Sequence, residues 1–388
     1  MDKITKVLMN LIKASIRKEN LNVDLFKSLS EEEEKQLYKL CSEHSLGIIA
    51  GDVLGKSEQI EKTFVVKQFV NEAFMAMIKY EQSQLDKNNI TKIFDDLLIP
   101  YIVLKGPRVR EFYPKPEYRT SCDIDILVRD EDVDKAVDGL VNIGSFEKQE
   151  RNYHDIPMVS PQGVLLELHF NIKENTENLD RVLVKVWDNS FPADNKGSME
   201  YQQSNEFFLF HLLAHMAYHF QHGGCGIRSI LDIYLICQQM QYDEAKLMGF
   251  CKEAKIVTFY KYVRQLAEVW FDGKEHTTIT LAMEEFILHG GTYGSKDNRI
   301  TVVQVKQGGG HIKYIVNRIF MSYKDLKTKY PVLEKHKFLT PLYQIVRWER
   351  AIFEGKLKRC SVEYTISKSI EQNQLDTTEK LLKVLELD

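Results

Sequence analysis

The sequence predicts an α+β fold, in which a small mixed sheet with flanking helices is embedded in a largely helical protein. Residues 1–97 and 176–388 carry apolar side chains at the three- and four-residue spacing of helices. Residues 98–175 instead carry short apolar runs of strand length, bounded by turn residues. We therefore expect an N-terminal helical region, an α/β core and a C-terminal helical domain with these bounds.

Composition and charge favour a soluble globular protein. The chain has 388 residues, of which 44% are hydrophobic and 28% charged, which is enough for more than one core. Its net charge of −4 argues against the strongly basic kind of nucleic-acid-binding protein, without excluding a local basic cleft.

The cysteines and the N-terminus indicate the compartment. Six cysteines show no Cys-x-x-Cys pair, which predicts reduced thiols and neither a disulfide framework nor a zinc site. The N-terminal residues lack the clean apolar core of a signal peptide. No apolar run reaches the roughly 18 residues that a membrane span needs. We therefore expect a cytoplasmic protein without membrane contact.

In the N-terminal region, Ser30 followed by Glu33 is a capping-box signature and predicts the start of a helix. Helical spacing then predicts a long helix from about Gln59 to Leu85. A further helix is expected from about Ile90 to Leu98, ending before Pro100.

In the core, Ile102 to Leu104 predicts a short buried strand that stops at Lys105-Gly106. A short helix is expected from Val109 to Tyr113. A longer one is expected from Glu131 to Ile143, capped by Asp130 and closed by Gly144. Further candidate strands lie near residues 146–151, 156–160 and 164–170.

Two carboxylates, Asp123 and Asp125, stand two residues apart in the apolar run that ends at Val128. Because side chains alternate along a strand, both leave one face while Ile124, Ile126 and Val128 point into a core. Adjacent carboxylates repel each other unless a cation lies between them. The pattern therefore predicts a divalent-metal site. Solvated carboxylates at a strand edge are the alternative.

A later strand offers a third carboxylate. Glu167 and His169 lie on one face of the candidate strand Val164–Phe170. Phosphoryl chemistry with two metal ions needs such a third carboxylate, and an all-oxygen ligand set suits Mg²⁺ or Mn²⁺. Asp155, on the preceding strand, is the alternative third ligand.

The Lys105-Gly106 turn is a candidate phosphate site, because glycine lets a phosphate approach backbone N–H groups closely. Pro107 follows it and offers no N–H. Lys105, Arg119 and Ser121 are therefore candidates to take over part of that role. Basic residues crowd this segment, as a triphosphate would require: Lys105, Arg108, Arg110, Lys115, Arg119 and Arg129.

Helical spacing predicts further helices in the C-terminal region: residues 207–220, 227–239, 243–254, 257–271, 278–289, 312–323 and 339–353. The glycine-rich passage from Gly290 to Gly310 is expected to be a loop.

Three histidines, His211, His215 and His219, recur on one face of the first of these helices. Such spacing can bind zinc, but no clear carboxylate partner follows it. We favour a structural or substrate-lining role, with His215 or His219 near the cleft and Asp232 orienting one of them. His169 is a further candidate for lining the substrate site.

The order of these motifs resembles the nucleotidyltransferase superfamily of the DNA polymerase β type. More narrowly, it resembles the bacterial uncharacterised nucleotidyltransferase family, over about residues 90 to 355. The matching segments are Leu104–Gly106, Tyr113-Pro114, Arg119, Asp123–Val128, Glu167–His169, Leu212–His219, Gly226–Ile233, Tyr330–Leu333, Pro341 and Arg347.

The resemblance implies a magnesium-dependent enzyme with a nucleotidyltransferase-type sheet, in which Asp123, Asp125 and Glu167 are catalytic and hold the metal. Glu167 would also help to align or deprotonate the acceptor. The implied nucleotide contacts are Lys105, Gly106, Arg119 and Ser121. The implied partners are an NTP donor such as ATP and an unidentified small-molecule or protein acceptor. The alternative is an inactive relative that binds a nucleotide or a protein.

Overall fold

The computed structural model describes residues 1–17, 19–193, 197–292, 294–308, 310–353 and 357–388. The chain forms two compact units. One comprises Met1–Tyr218 and Gly226–Thr280, and the other comprises His219–Cys225 and Leu281–Asp388. The three regions expected from the sequence stay a prediction.

The first unit contains a mixed sheet. Its strands, among the described residues, are β1 (Tyr101–Val103), β2 (Asp123–Val128), β3 (Glu147–Lys148), β4 (Asp155–Val159), β5 (Leu165–His169), β6 (Ser190–Pro192) and β7 (Glu200–Gln203). Their order across the sheet is β3-β4-β5-β2-β1-β7-β6. The β2–β5 and β1–β7 pairs are parallel and the others antiparallel. The predicted α+β class is confirmed.

Two strands extend the sheet beyond residue 175. β7 pairs in parallel with β1, with Tyr101 opposite Glu200, and β6 pairs with β7. No sequence pattern predicted either strand, because both are short and β7 is largely polar. The alternation of apolar and polar residues that marks a strand is therefore missing.

The N-terminal helices are α1 (Lys3–Arg17), α2 (Val23–Lys27), α3 (Glu31–Glu43), α4 (Gly47–Lys56) and α5 (Phe64–Asp96). The predicted capping box of Ser30 and Glu33 is present at the start of α3. The prediction of two helices between residues 59 and 98 is wrong, because α5 is continuous. The expected break at residues 86–89 is polar but contains neither glycine nor proline, so the helix continues.

One face of the sheet carries the core of this unit. Ile124, Ile126 and Val128 from β2 pack there with apolar side chains of β4, β5 and α5, as the alternation predicts. Two further helices flank β2, namely α6 (Gly106–Arg110) and α7 (Val133–Asn142). α6 begins three residues before the predicted start, and Asp130 begins a 3₁₀ turn that precedes α7.

The next helices along the chain, most of whose residues belong to the first unit, are α8 (Glu177–Leu183), α9 (Asn205–Gln221), α10 (Ile227–Gln239), α11 (Glu244–Glu253) and α12 (Val257–Ala267). A π-helical turn, Glu268–Asp272, extends α12. The bounds of α10 agree with the sequence prediction.

The remaining helices are α13 (Thr278–Leu288), α14 (Lys296–Lys306), α15 (His311–Ile319), α16 (Tyr323–Lys329), α17 (Val332–Lys335), α18 (Thr340–Phe353), α19 (Leu357–Ser369) and α20 (Gln372–Val384). α14 falls within the passage expected to be a loop, and its start is capped by the Ser295 side chain. None of the helices in the described ranges has the length and apolar character needed to cross a membrane.

Candidate active site

The register of β2 and β5 brings carboxylates from two strands together. Asp125 lies opposite Glu167 across the parallel pair. Asp123 and His169 leave the same face as these two, because the residues between them point into the core. Within the described residues, Asp125, Glu167 and His169 form a group whose ligand atoms all lie within 4.8 Å of one another. The strand geometry therefore builds a potential metal site from separate segments of the chain.

His169 sits between two of the carboxylates, Asp125 and Glu167. Its Nε2 atom is 3.2 Å from Oδ1 of Asp125 and 3.5 Å from Oε2 of Glu167. The ring of His154 stacks against it at 5.3 Å. The Nδ1 atom of His169 is buried and has no hydrogen-bond partner in the described part of the chain. The sequence placed His169 on the correct face but did not predict this bridging position.

The electrostatics of the group are those of crowded acids. Burial raises the pKa of Asp123 to about 6, and the charges of Asp125 and Glu167 add to the effect. Burial also disfavours ionised Asp125, but the hydrogen bond and charge of His169 hold its pKa well below the ordinary value. Burial disfavours the His169 cation, yet the same two carboxylates raise the pKa of its imidazole above the ordinary value. A positive charge is therefore favoured at this point of the sheet.

Lys105 supplies a second positive charge at the end of β1. Its backbone has φ +34° and ψ −80°, a region that residues other than glycine rarely adopt. Its Nζ atom lies 3.0 Å from Nδ1 of His215. Its charge opposes the rise in the pKa of Asp123 and helps to lower the pKa of Asp125. The predicted nucleotide contact Lys105 thus lies between the carboxylate group and His215.

Glu174 is a site residue that no sequence pattern indicated. Its Oε1 atom is 2.6 Å from Nδ1 of His215. Burial disfavours its charged form, but His215 and Lys105 lower the pKa of the carboxyl group to about 2. Glu174 lies between β5 and α8, and α9 brings its partner from 41 residues away. No local spacing could have connected the two.

Arg119 and Asp232 form a buried ion pair. Nε of Arg119 is 3.1 Å from Oδ2 of Asp232, and the hydroxyl of Tyr113 donates to Oδ1 at 2.6 Å. The sequence-based expectation that Asp232 orients a histidine is not what these contacts show. A β-carbon built on Gly106 would lie 3.6 Å from Nη1 of Arg119 and 3.9 Å from Oγ of Ser121. Three of the predicted nucleotide contacts therefore lie side by side.

Two more arginines surround this point. Arg110 donates to the carbonyl of Arg119 and, at 2.7 Å, to Oγ of Ser121. Arg228 donates to the carbonyl of Thr120 at 2.6 Å. Burial and the neighbouring Arg119 lower the pKa of Arg110 to about 10. A cavity of about 210 Å³ lies here, and its lining includes Lys79, Tyr80, Arg110, Arg119, Thr120 and Ser121.

Other basic residues of the predicted cluster contact groups away from Gly106, Arg119 and Ser121. Arg108 donates to the carbonyl of Gln203 and lies over the ring of Phe208. Lys115 pairs with Asp52, and Arg129 lies over the ring of Trp187. The sequence could count these charges, but it could not assign each side chain to its surroundings.

The remaining candidates separate as follows. Asp155, the alternative third ligand, accepts hydrogen bonds from Asn152 and contacts His154. His211 is buried against Gln203. His219, predicted to line the substrate site, belongs to the second unit.

Comparison with known proteins shows to which family the chain belongs. A model of the family described as "Uncharacterised nucleotidyltransferase" matches residues 30–272. The chain belongs to the uncharacterised nucleotidyltransferase family. The match does not show that the family is bacterial, so that part of the resemblance stays a prediction.

Solved structures and curated proteins add little to the placement of this nucleotidyltransferase family member. The antibiotic-resistance factor ANT(2″)-Ia is 13% identical, with a TM-score of 0.33, over 48% of this chain and 96% of that one. An antigenic nucleotidyltransferase-like protein from Paracoccidioides brasiliensis is 16% identical, with a TM-score of 0.33, over 49% and 92%. No curated protein matches the chain.

Proposed function

We propose that this family member transfers a nucleoside monophosphate from an NTP to a hydroxyl group of an unidentified small-molecule or protein acceptor, with the help of a divalent metal ion. The observation that carries the proposal is the group formed by Asp125, Glu167 and His169, with Asp123 on the same strand face. Family membership supports nucleotidyl transfer in general.

The donor atoms of this group fit a divalent cation. Three carboxylates crowd one sheet face, and the pKa of Asp123 is raised by burial and by the charges of Asp125 and Glu167, a repulsion that a cation would relieve. Asp123, Asp125 and Glu167 would hold the ion, and His169 could add a nitrogen ligand after losing the Nε2 proton that faces Asp125 and Glu167. A bound ion would neutralise charge that develops on the phosphate oxygens. Because imidazole is a poor partner for Mg²⁺, the group favours Mn²⁺ over Mg²⁺.

The triphosphate would lie against Lys105, Gly106, Arg119 and Ser121. Pro107 removes one backbone donor at this turn. The guanidinium of Arg119, beside Gly106, offers donors in its place. The hydroxyl of Ser121, which donates to the carbonyl of Asp123, would turn to the phosphate instead. Arg110 adds positive charge behind Ser121. These groups would orient the α-phosphate toward the carboxylate group, and positioning of this kind supplies much of the rate in phosphoryl transfer.

The proposal is tested by ligand-induced stabilisation. Thermal unfolding of the full chain is followed with each of the four NTPs, together with Mg²⁺ or Mn²⁺. A ligand at 100 times its Kd stabilises the folded state by about 2.7 kcal/mol. We expect at least one NTP with metal to raise the Tm of the wild type, and Asp125→Asn to abolish the increase. Asp134→Asn, which changes an exposed carboxylate on α7, is the matched control and should respond like the wild type.

Two results would count against this function. If no NTP–metal combination stabilises the wild type, the nucleotide site is wrong. If Asp125→Asn keeps the full response, the metal assignment is wrong. NTP binding without pyrophosphate release would favour the inactive relative, for which the missing donor at Pro107 is the supporting observation.

A further inference from the structure

The pair formed by Glu174 and His215 has no task in the binding of metal or triphosphate described above. His215 lies on α9, and Glu174 lies in the segment that follows β5. The Glu174 side chain is 11% exposed, whereas that of His215 is 33% exposed. The carboxylate is thus enclosed, while the imidazole ring still reaches solvent.

The short contact between them determines where the ring carries its proton. Glu174 is ionised at neutral pH, because its carboxyl group has a pKa lowered to about 2. An ionised oxygen at 2.6 Å from Nδ1 requires a hydrogen on that nitrogen. An Nδ1 atom that carries this hydrogen has no lone pair left, so it accepts no hydrogen bond from Lys105, whose Nζ atom lies 3.0 Å away. The neutral ring is therefore the Nδ1–H tautomer, and Nε2 is its unprotonated nitrogen.

The surroundings of His215 keep the ring neutral. In the described part of the chain, the charged or titratable groups that act on it include Lys105, Glu174, Asp125 and His211. Partial burial of the ring and the charge of Lys105 lower the pKa of the imidazole, and Glu174 and Asp125 oppose them only in part. A neutral imidazole whose other nitrogen is fixed by a carboxylate is the arrangement that accepts protons in hydrolases with a His–acid pair.

We propose that His215 is the general base that removes the proton from the acceptor hydroxyl, and that Glu174 is the residue that positions it. The proposal rests on the function proposed above and deepens it on the acceptor side. Lys105 links His215 to the carboxylate group, because it contacts His215 and its charge also affects the pKa values of Asp123 and Asp125. The carboxylate of Glu167, the residue that the sequence suggested for deprotonating the acceptor, contacts His169.

The step balances as follows. The acceptor O–H bond breaks and its proton moves to Nε2 of His215, while the acceptor oxygen forms a bond to the α-phosphorus of the NTP. The bond between that phosphorus and the bridging oxygen breaks, and pyrophosphate leaves with the electron pair. The imidazolium formed at His215 is stabilised by Glu174 and later returns its proton to solvent.

The first experiment observes the ring directly and needs no acceptor. The full chain is labelled with ¹⁵N-histidine, and long-range ¹H–¹⁵N correlations are recorded at pH 7.5. His215→Gln assigns the signal by its disappearance. We expect a neutral ring protonated at Nδ1, and Glu174→Gln should lower its titration midpoint. A ring protonated at Nε2, or an imidazolium at this pH, would overturn the proposal.

The second experiment measures pyrophosphate release from an NTP with Mn²⁺, with water and then glycerol as the hydroxyl donor. His215→Gln should lower the rate about 10²- to 10⁴-fold while NTP-induced stabilisation is kept. Glu174→Gln should move the acidic limb of the pH–rate profile to lower pH. His289→Gln, an exposed histidine of the second unit, is the control and should leave both unchanged.

The outcomes separate this inference from the proposed function. If the wild type binds no NTP–metal complex, the proposed function fails. If binding is intact and His215→Gln retains the wild-type rate and pH profile, only the general base is wrong. If no release is measurable with either donor, the tautomer and titration of His215 decide.

Discussion

Asp232→Asn tests the buried charge arrangement behind the proposed triphosphate site. Asp232 is 6% exposed and accepts hydrogen bonds from Tyr113 and Arg119. Arg110 and Arg228, which are also buried, lie close to Arg119 and donate only to neutral groups among the described residues. Asp232 thus contributes a negative charge to a group of three guanidinium ions, and Asp123 also acts on one of them, Arg110. Neutralisation of Asp232 leaves that group with excess positive charge.

The expected cost follows from the burial. Removal of one partner from a buried ion pair destabilises a protein by about 3–5 kcal/mol. Asparagine still accepts hydrogen bonds, so we expect a loss near about 3 kcal/mol. At about 2–4 °C per kcal/mol for a large domain, this lowers Tm by about 6–12 °C. Urea unfolding followed by far-UV circular dichroism measures the loss. Glu31→Gln, which breaks an exposed pair with Lys35, should leave the midpoint unchanged.

The same variant has a second, opposite expectation. In this variant the positive charge of Arg110, Arg119 and Arg228 is compensated less. Inorganic pyrophosphate should therefore raise the Tm of Asp232→Asn more than that of the wild type. A loss of stability below about 1 kcal/mol would refute the structural role of the ion pair. An equal response to pyrophosphate in both proteins would refute the claim that these arginines face an anion.

Two further predictions concern the metal group. His169→Gln should remove the preference for Mn²⁺ over Mg²⁺, about a 10- to 100-fold change in relative affinity, because it removes the nitrogen ligand. Calorimetric titration of both ions measures it, and an unchanged preference would show that His169 is not a ligand. Stabilisation by Mn²⁺ should also weaken as the pH falls from 7.5 to 5.5, because the pKa of Asp123, raised to about 6, lets a proton compete with the ion below that value. Without metal, the pH dependence of stability that Asp123 contributes has the opposite sign. Its raised pKa means that the folded state binds the proton more tightly than the unfolded state, so acidification through pH 6 stabilises the fold. Tm values with and without Mn²⁺ at both pH values test this, and an equal Mn²⁺ effect would count against Asp123 as a ligand.

Local patterns could predict the elements but not which of them meet. Alternation along β2 placed Asp123 and Asp125 on one face and their apolar neighbours in the core. The parallel register that sets Asp125 opposite Glu167 depends on the strand order of the sheet, which no single strand encodes. Glu174 and His215 are 41 residues apart, and Arg119 and Asp232 are 113 apart. Such pairs arise from tertiary packing, so sequence spacing could not indicate them.

The parallel pairing of β1 with β7 has a mechanical consequence. β1 ends just before Lys105, and β7 leads into α9, which carries His215. Arg108 fastens the two segments together by donating to the carbonyl of Gln203 and the side chain of Asn205. The separation of Lys105 and His215 is therefore set by the backbone pairing of β1 with β7 and by the contacts of Arg108. Substitutions of other side chains near His215 would therefore leave the distance between Lys105 and this proposed base unchanged.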